Sequence, residues 1–274
     1  MHHFPNQLVN LEKGLSMNSI KIIFFDIDGT LVDPHTGKIS PKTVQALKLL
    51  EVKGIKRCIV TGRPSASLPD FGDLRFDMLA TFNGSLCYRG NEVIYSNPLD
   101  PADVQIILRN LAALGRPASV AVRNRMAANG VDRDLADYYR LAGLELTAAE
   151  DFEEALREDV YQIMAGCREA DHAAILQGTK NAKLAVSWER AADAIPLTGG
   201  KGTAIGHILN YFHLDPSEAL AFGDSFNDME MFQAVGTGVA MGNAADQLKA
   251  IADDTCGPVS GDGIYHYCLR RGLI

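Results

Sequence analysis

Residues 21–31 read Lys-Ile-Ile-Phe-Phe-Asp-Ile-Asp-Gly-Thr-Leu, an apolar run that ends in two closely spaced carboxylates. The apolar residues Ile22 to Phe25 predict a strand buried on both faces, as in the middle of a parallel sheet. Side chains two positions apart on a strand point the same way, so Asp26 and Asp28 are expected to project together from its carboxyl end. Gly29 allows the chain to turn sharply there. Taken alone, the segment also fits an ordinary Asp-rich turn.

The composition is that of a globular protein with enough apolar residues for one large or two smaller domains. Of the 274 residues, 47% are hydrophobic and 22% are charged, and the net charge is −8. This negative charge, without any basic block, argues against nucleic acid as a partner. The five cysteines show neither a disulfide framework nor zinc-site spacing. With no apolar run long enough to cross a bilayer and no signal peptide, we expect a cytoplasmic protein without a membrane partner.

The order of the predicted strands and helices indicates an α/β fold with an insertion. Strands and helices alternate up to residue 84 and again from residue 198, which predicts a Rossmann-like, doubly wound parallel sheet built from discontinuous sequence. Residues 85–197 are rich in strands with interspersed helices and predict a separate α+β cap domain. The predicted core domain therefore comprises residues 1–84 and 198–274, with residues 1–18 as a loose N-terminal extension.

Polar residues follow each of four predicted core strands. Parallel strands place their carboxyl ends on one edge of a sheet, so these residues are expected to meet there. The segments are Asp26 to Asp28, Thr61-Gly62-Arg63, Asn83-Gly84 and Gly223 to Asp228. Four carboxylates in one place repel each other and need a compensating cation. Since a site of oxygen ligands that keeps several waters suits magnesium, Asp26, Asp28, Asp224 and Asp228 predict a Mg²⁺ site.

A second group of residues is suited to binding a phosphate. Lys201 begins a predicted helix and Thr61 offers a hydroxyl group, beside backbone N–H groups that a phosphate can accept from. A metal ion and a phosphate site next to a carboxylate make an aspartyl-phosphate mechanism available. A solvated lysine on a surface helix would explain Lys201 alone. It would not explain four polar segments in this order at four strand ends.

Together these motifs resemble those of haloacid-dehalogenase-superfamily phosphatases of the Cof type, subclass IIB, which carry the larger C2 cap. The resemblance covers almost the whole chain from about Ile20. The four matching motifs are Asp26-Ile-Asp28-Gly29-Thr30-Leu31, Thr61-Gly62-Arg63, Lys201-Gly202 and Gly223-Asp224-Ser225-Phe226-Asn227-Asp228-Met229. The Asn83-Gly84 pair at the entry to the cap is also characteristic of this group.

The resemblance implies a role for each motif. Asp26 would attack the phosphorus, and Asp28 would protonate the departing alcohol and then deprotonate the hydrolytic water. Mg²⁺ would be held by the Asp26 carboxylate, the Asp28 backbone carbonyl and Asp224, with Asp228 as a direct or indirect ligand. The residues expected to bind the substrate's phosphoryl group are Thr61, Gly62, Asn83, Lys201 and Asn227.

The implied function is a Mg²⁺-dependent phosphatase acting on a small phosphorylated metabolite, either a sugar phosphate or a cofactor phosphate. A sugar phosphomutase of the same superfamily and a non-catalytic sensor of such a metabolite are the alternatives. In the cap, we interpret Arg123-Asn124-Arg125 as an exposed basic turn and Trp188 as part of the cap core, rather than as substrate contacts. The sequence does not identify the substrate or decide between a monomer and a homodimer.

Overall fold

The computed structural model of the protein describes residues 19–274, so the predicted extension, residues 1–18, lies outside the described residues. In chain order, the strands are β1 (Ile22–Phe25), β2 (Lys56–Val60), β3 (Met78–Thr81), β4 (Leu86–Arg89), β5 (Glu92–Ser96), β6 (Ala118–Val122), β7 (Arg125–Ala128), β8 (Val160–Gly166), β9 (Ala182–Trp188), β10 (Ala191–Pro196), β11 (Ala219–Gly223), β12 (Thr237–Ala240) and β13 (Asp254–Thr255).

The α-helices alternate with these strands in the outer parts of the chain. They are α1 (Pro41–Val52), α2 (Pro101–Ala113), α3 (Arg133–Leu141), α4 (Phe152–Ala155), α5 (His172–Ile175), α6 (Lys201–Phe212), α7 (Met229–Ala234), α8 (Asp246–Ile251) and α9 (Gly263–Arg270). The start of α1 illustrates the local signals: the Ser40 side chain accepts a hydrogen bond from the backbone of Thr43 at 3.1 Å, and Pro41 follows as the first helical residue. None of the described helices is long and apolar enough to span a membrane.

The larger sheet has the order β13-β12-β11-β1-β2-β3-β4-β5, and its strands from β13 to β3 are parallel. The strand β1 lies inside the sheet between β11 and β2, and all four of its residues are buried. This confirms the predicted α/β fold with a Rossmann-like parallel core. It also places the carboxyl ends of β1, β2, β3 and β11 side by side.

The hairpin of β4 and β5 extends the larger sheet, and this bears on where the inserted unit begins. Residues 85–96 were predicted to belong to the insert, whereas β4 pairs with β3 in antiparallel fashion and extends the larger sheet. Antiparallel strands need only a short connection, so the chain can add this hairpin directly to the edge of β3. We propose that the inserted unit begins after Ser96 rather than at residue 85.

The smaller sheet is antiparallel throughout and has the order β7-β6-β8-β10-β9. It has an apolar cluster of its own, which includes Ile107 and Leu111 of α2 and Ile163 of β8. The strand β7 was missed, because the sequence prediction ended this part of the chain in a turn at Arg123 to Arg125.

Candidate active site

Asp26, Lys201 and Asp228 form a buried charge cluster at the carboxyl edge of the larger sheet. The Lys201 ammonium donates to Asp26 Oδ1 at 2.7 Å and to Asp228 Oδ1 at 2.6 Å. The second oxygen of Asp228 accepts hydrogen bonds from the backbone N–H groups of Asp224 and Ser225, at 2.9 and 3.0 Å. The first residue of α6 is thus tied to the end of β1 and to the loop after β11, so the three motifs meet in one site.

Burial controls the protonation of this cluster. Loss of solvent raises the pKa of Asp26 to about 7; the Lys201 charge opposes this shift, and the Asp228 and Asp28 carboxylates add to it. Burial, with the nearby charges of Asp26 and Asp228, holds the pKa of Asp224 well above its usual range. Burial opposes the charged form of Lys201 as well, but Asp228 and Asp26 raise its pKa above the ordinary value. Without further positive charge, Asp26 and Asp224 therefore hold a proton more readily than exposed carboxyl groups do.

Three carboxylates are close enough to share a metal ion. Asp26, Asp224 and Asp228 each offer an oxygen, and these oxygens lie within 4.8 Å of one another. One buried lysine does not neutralise three carboxylates, and an all-oxygen donor set is suited to a hard divalent cation. The residues present therefore fit the predicted Mg²⁺ site. The Asp28 carboxylate is not part of this group, although the prediction assigned that residue through its backbone carbonyl.

Gly29 shapes the turn beside this cluster. Its φ of +79° lies in the left-handed region, and a Cβ at this position would lie 2.2 Å from Asp224 Oδ2. The next residue, Thr30, donates its hydroxyl to Asp224 Oδ1 at 2.9 Å. Gly29 thus leaves space for the Asp224 carboxylate, and Thr30 donates a hydrogen bond to it.

The Asp28 carboxylate pairs with Arg63. Both Asp28 oxygens accept from the Arg63 guanidinium, at 2.7 Å each, and a third nitrogen of Arg63 donates to the Ser67 carbonyl at 2.8 Å. The Thr61 hydroxyl oxygen accepts from the Arg63 backbone N–H at 3.1 Å. The sequence analysis placed Arg63 in the second motif but gave it no role, since a contact between strand ends has no local sequence signal.

Asn83 connects the two sheets. It lies just after β3 with φ +52° and ψ +35°, a left-handed conformation that asparagine adopts more readily than most residues. Its Oδ1 accepts from Asn227 at 2.9 Å, and its amide group donates to Gln162 at 3.1 Å and to Asp193 at 3.0 Å. The predicted phosphate-binding residues Asn83 and Asn227 are therefore bonded to each other and, through Asn83, to the smaller sheet.

Gln162 and Asp193 were missed by the sequence analysis, although each is a polar residue inside an otherwise apolar strand. Gln162 on β8 also donates to the Gly62 carbonyl at 3.2 Å. Asp193 on β10 accepts from the Tyr138 hydroxyl at 3.1 Å, and burial raises its pKa to about 7. A buried polar side chain in a strand of this kind needs partners, which is the signal that could have identified both.

A cavity of about 230 Å³ lies between the acidic edge of the larger sheet and the smaller sheet. The candidate site residues that line it are Asp26, Asp28, Thr61, Gly62, Asp224 and Asn227. Lys201 and Asn83 line a neighbouring cavity of about 210 Å³, together with Asn227. The structure thus places these residues, which the sequence selected, along two neighbouring cavities at the carboxyl edge of the larger sheet.

The interpretation of Trp188 as part of the cap core is wrong. Trp188 lines the 230 Å³ cavity and does not belong to the apolar cluster of the smaller sheet. It is the last residue of β9, which is an edge strand of the smaller sheet. Arg125, by contrast, forms ion pairs with Asp151 and Glu158, and neither Arg123 nor Arg125 lines either cavity.

A family model described as haloacid dehalogenase-like hydrolase matches residues 23–268. The chain belongs to this family. One relative of this haloacid dehalogenase-like hydrolase is a Bacillus subtilis (strain 168) protein that is provisionally named a phosphatase. The two are 31% identical over 261 residues, which cover 93% of this chain and 98% of the relative. Another protein of that strain, named 5-amino-6-(5-phospho-D-ribitylamino)uracil phosphatase, is 28% identical over 90% of this chain and 95% of its own length.

Solved structures agree with this assignment. A structure described as a sugar phosphatase of subclass IIB superimposes with a TM-score of 0.86, at 29% identity, over 93% of this chain and 100% of its own. The resemblance to Cof-type phosphatases that the motifs indicated is thereby confirmed, and the chain is an enzyme of that group.

Proposed function

We propose that this phosphatase hydrolyses phosphomonoesters of small metabolites with Mg²⁺, through an aspartyl-phosphate intermediate on Asp26. The observation that carries the proposal is the position of Asp26. Asp26 is buried and lines the 230 Å³ cavity, with its carboxylate 2.7 Å from the Lys201 ammonium and next to Asp224 and Asp228.

The acidic cluster supports the metal part of the proposal. Asp26, Asp224 and Asp228 would hold the ion with the Asp28 backbone carbonyl, and Asp228 would serve as a direct or indirect ligand. When bound, Mg²⁺ would offset the negative charge that the carboxylates and the phosphoryl group bring together. Three carboxylates against one buried lysine are the arrangement that such an ion would complete.

The phosphoryl oxygens would be bound by groups on the same side of the cavity. The Thr61 hydroxyl and the Gly62 backbone N–H follow β2, and the Lys201 ammonium contributes a positive charge. Asn227 would donate to the phosphoryl group, while Asn83, which accepts from Asn227 at 2.9 Å, would fix the orientation of that amide.

The reaction would take place in two steps. The Asp26 carboxylate attacks the phosphorus, the bond from phosphorus to the leaving oxygen breaks, and Asp28 gives that oxygen a proton. A water molecule then attacks the phosphorus, Asp28 takes its proton, and the bond to Asp26 breaks to release phosphate. Arg63 donates to both oxygens of Asp28 in the resting site, so this ion pair has to loosen and Asp28 has to take up a proton from solvent before the first step; the second step then returns a proton to Asp28.

The experiment is phosphate release from a panel of phosphorylated metabolites, by the wild type and by Asp26→Asn. We expect release by the wild type with Mg²⁺, loss after chelation with EDTA, and loss in the variant, which keeps the shape of the side chain without its nucleophilic charge. Exposed Asp73 offers a matched control, since Asp73→Asn should leave release unchanged.

Other outcomes would point to the alternatives. Equal release by the wild type and Asp26→Asn would refute Asp26 as the nucleophile. A requirement for a bisphosphorylated activator, with transfer to a sugar, would identify a phosphomutase. Binding of phosphorylated metabolites without any release would indicate a sensor.

A further inference from the structure

The cavity wall that faces the reaction site is apolar and aromatic. It is formed by side chains of the smaller sheet and of α3 with the segment after it, chiefly Met126, Tyr138, Leu141, Leu144, Met164 and Trp188. Among the described residues, none of those that line the cavity from this side carries a formal charge. The wall therefore lacks a cation for a second phosphate or a carboxylate on the substrate.

Two rings of this wall are held in fixed positions. Tyr138 and Trp188 lie nearly parallel, with 6.2 Å between ring centroids and 12° between planes. The Tyr138 hydroxyl donates to buried Asp193 at 3.1 Å. The guanidinium of Arg190 lies 4.6 Å from the Trp188 ring and forms an ion pair with Asp134 at 2.7 Å. The rings are thus pre-positioned without a ligand, which lowers the cost of binding a flat group against them.

The polar side chains on this side of the cavity already have partners. Gln162 bonds to Asn83 and to the Gly62 carbonyl, and Ser187 lies 3.3 Å from the Tyr138 hydroxyl. The Tyr139 hydroxyl lies 2.5 Å from that of Ser119. Each buried sugar hydroxyl without a partner would cost about 1–3 kcal/mol. A leaving group with many hydroxyl groups therefore does not match this wall.

We infer that the leaving group of the natural substrate carries an uncharged planar ring, aromatic or heteroaromatic, that packs against Trp188 and Tyr138. This inference rests on the proposed function, because it names the class of phosphomonoester for the same site. The cavity, at about 230 Å³, is below the range of roughly 300–1,000 Å³ that is common for ligand pockets. It accommodates one or two rings beside the phosphoryl group.

The test compares substrates that differ mainly in the flatness of one ring. Benzyl phosphate and cyclohexylmethyl phosphate are primary-alcohol esters of similar size, and glucose 6-phosphate supplies a ring with hydroxyl groups. We expect kcat/KM for benzyl phosphate to exceed that for cyclohexylmethyl phosphate by about 3- to 10-fold, the range that aromatic stacking supplies. Glucose 6-phosphate should be hydrolysed more slowly than either.

Variants of Trp188 assign this preference to the ring. In Trp188→Leu, the ratio of kcat/KM for benzyl phosphate to kcat/KM for cyclohexylmethyl phosphate should fall close to one. Trp188→Phe keeps an aromatic ring and should retain most of the preference for benzyl phosphate. Tyr265→Leu is the matched control, because Tyr265 is a partly buried aromatic residue that does not line the cavity. A ratio that is unchanged in Trp188→Leu would overturn the inference.

A binding measurement separates this inference from the proposed function. Trp188 is the single tryptophan of the chain, so its fluorescence reports directly on this wall when benzylphosphonate or cyclohexylmethylphosphonate is added. Tighter binding of the flat phosphonate without any turnover would refute the phosphatase mechanism and would leave only the preference of this wall for a flat ring standing. Asp26-dependent turnover with equal binding of both phosphonates, or faster hydrolysis of glucose 6-phosphate, would overturn the inference and leave the mechanism intact.

Discussion

Asp28 and Arg63 form a bidentate ion pair across the candidate site, with both nitrogen–oxygen distances at 2.7 Å. The pair joins the end of β1 to the segment after β2, and it determines where the Asp28 carboxylate lies. Because the guanidinium is planar and a lysine ammonium is not, only arginine can hold both oxygens in this way. Arg63 therefore acts on the position of Asp28.

The first prediction concerns Arg63→Lys. This variant should hydrolyse benzyl phosphate more slowly than the wild type, with a smaller loss for 4-nitrophenyl phosphate, whose leaving group needs little protonation. Asp28→Asn sets the upper limit, about 10²- to 10⁴-fold for the alkyl ester. The measurement is kcat for both esters in each variant. An equal loss for both esters in Arg63→Lys would contradict a role in placing the proton donor.

The second prediction concerns Lys201→Met. Removing the ammonium that contacts both Asp26 and Asp228 leaves these buried carboxylates without their cation, which should cost about 3–5 kcal/mol of unfolding free energy in EDTA at alkaline pH. Mg²⁺ should restore part of this loss, since the ion supplies positive charge at the same place. Urea denaturation with and without Mg²⁺ measures both effects.

The control for Lys201 is Lys21, whose ammonium pairs with Glu218 at 2.5 Å but is 61% exposed. Lys21→Met should change the unfolding free energy by no more than about 1 kcal/mol, because exposed ion pairs contribute little. If Mg²⁺ stabilised Lys201→Met no more than it stabilised the wild type, the acidic cluster would not be the metal site.

The third prediction compares two glycines with positive φ. Gly29→Ala places a methyl group 2.2 Å from Asp224 Oδ2, so it should displace that carboxylate and weaken both Mg²⁺ binding and turnover. Gly37→Ala meets nothing within 4 Å at φ +65°, so it should cost only about 1–2 kcal/mol of backbone strain. Mg²⁺ titration followed by thermal stability distinguishes the two. Equal Mg²⁺ affinity in both variants would contradict the assignment of Asp224.

The fourth prediction is the pH dependence that buried Asp193 creates. Burial raises its pKa from 3.8 to about 7, so the folded state keeps a proton that the unfolded state has lost. The contribution of Asp193 is therefore fully present below about pH 4, and it falls by up to about 1.4 kcal/mol per pH unit as the pH rises to about 7. Asp193→Asn should remove this decline, as measured by urea denaturation from pH 4 to pH 8. If the unfolding free energies of the wild type and of Asp193→Asn changed with pH in parallel, this role of Asp193 would be contradicted. The control variant Asp73→Asn should show the same pH dependence as the wild type.

The sequence identified the edge of the larger sheet correctly because each motif is local. A buried strand that ends in polar residues can be predicted from a short stretch of sequence. The structure places Asp26, Asp224 and Asp228 together as expected. The hairpin of β4 and β5 was placed in the insert by the sequence prediction, whereas in the structure β4 pairs with β3 of the larger sheet. The residues of the hairpin predict a hairpin, but no local pattern predicts that it pairs with β3, because that pairing depends on packing.

The residues that the sequence did not identify act across long chain separations. Gln162 reaches Asn83 from 79 positions away, and Asp193 reaches it from 110. Trp188 was misread for the same reason, since an aromatic residue in a strand fits a core and a cavity wall equally well until the facing side is known. Such contacts depend on how the two sheets pack, which no local pattern encodes.

The two places where the chain passes between the sheets lie beside each other. The Asn97 side chain donates to the Thr198 hydroxyl at 3.2 Å, although 101 positions separate them. The chain therefore enters the proposed insert and leaves it again at two points that lie close together in space. The proposed insert is one contiguous stretch of sequence, so exchanging it would change the cavity wall that it contributes while the order of the catalytic strands stays as it is. Recombination at two points of the gene, 101 codons apart, would be enough for such an exchange.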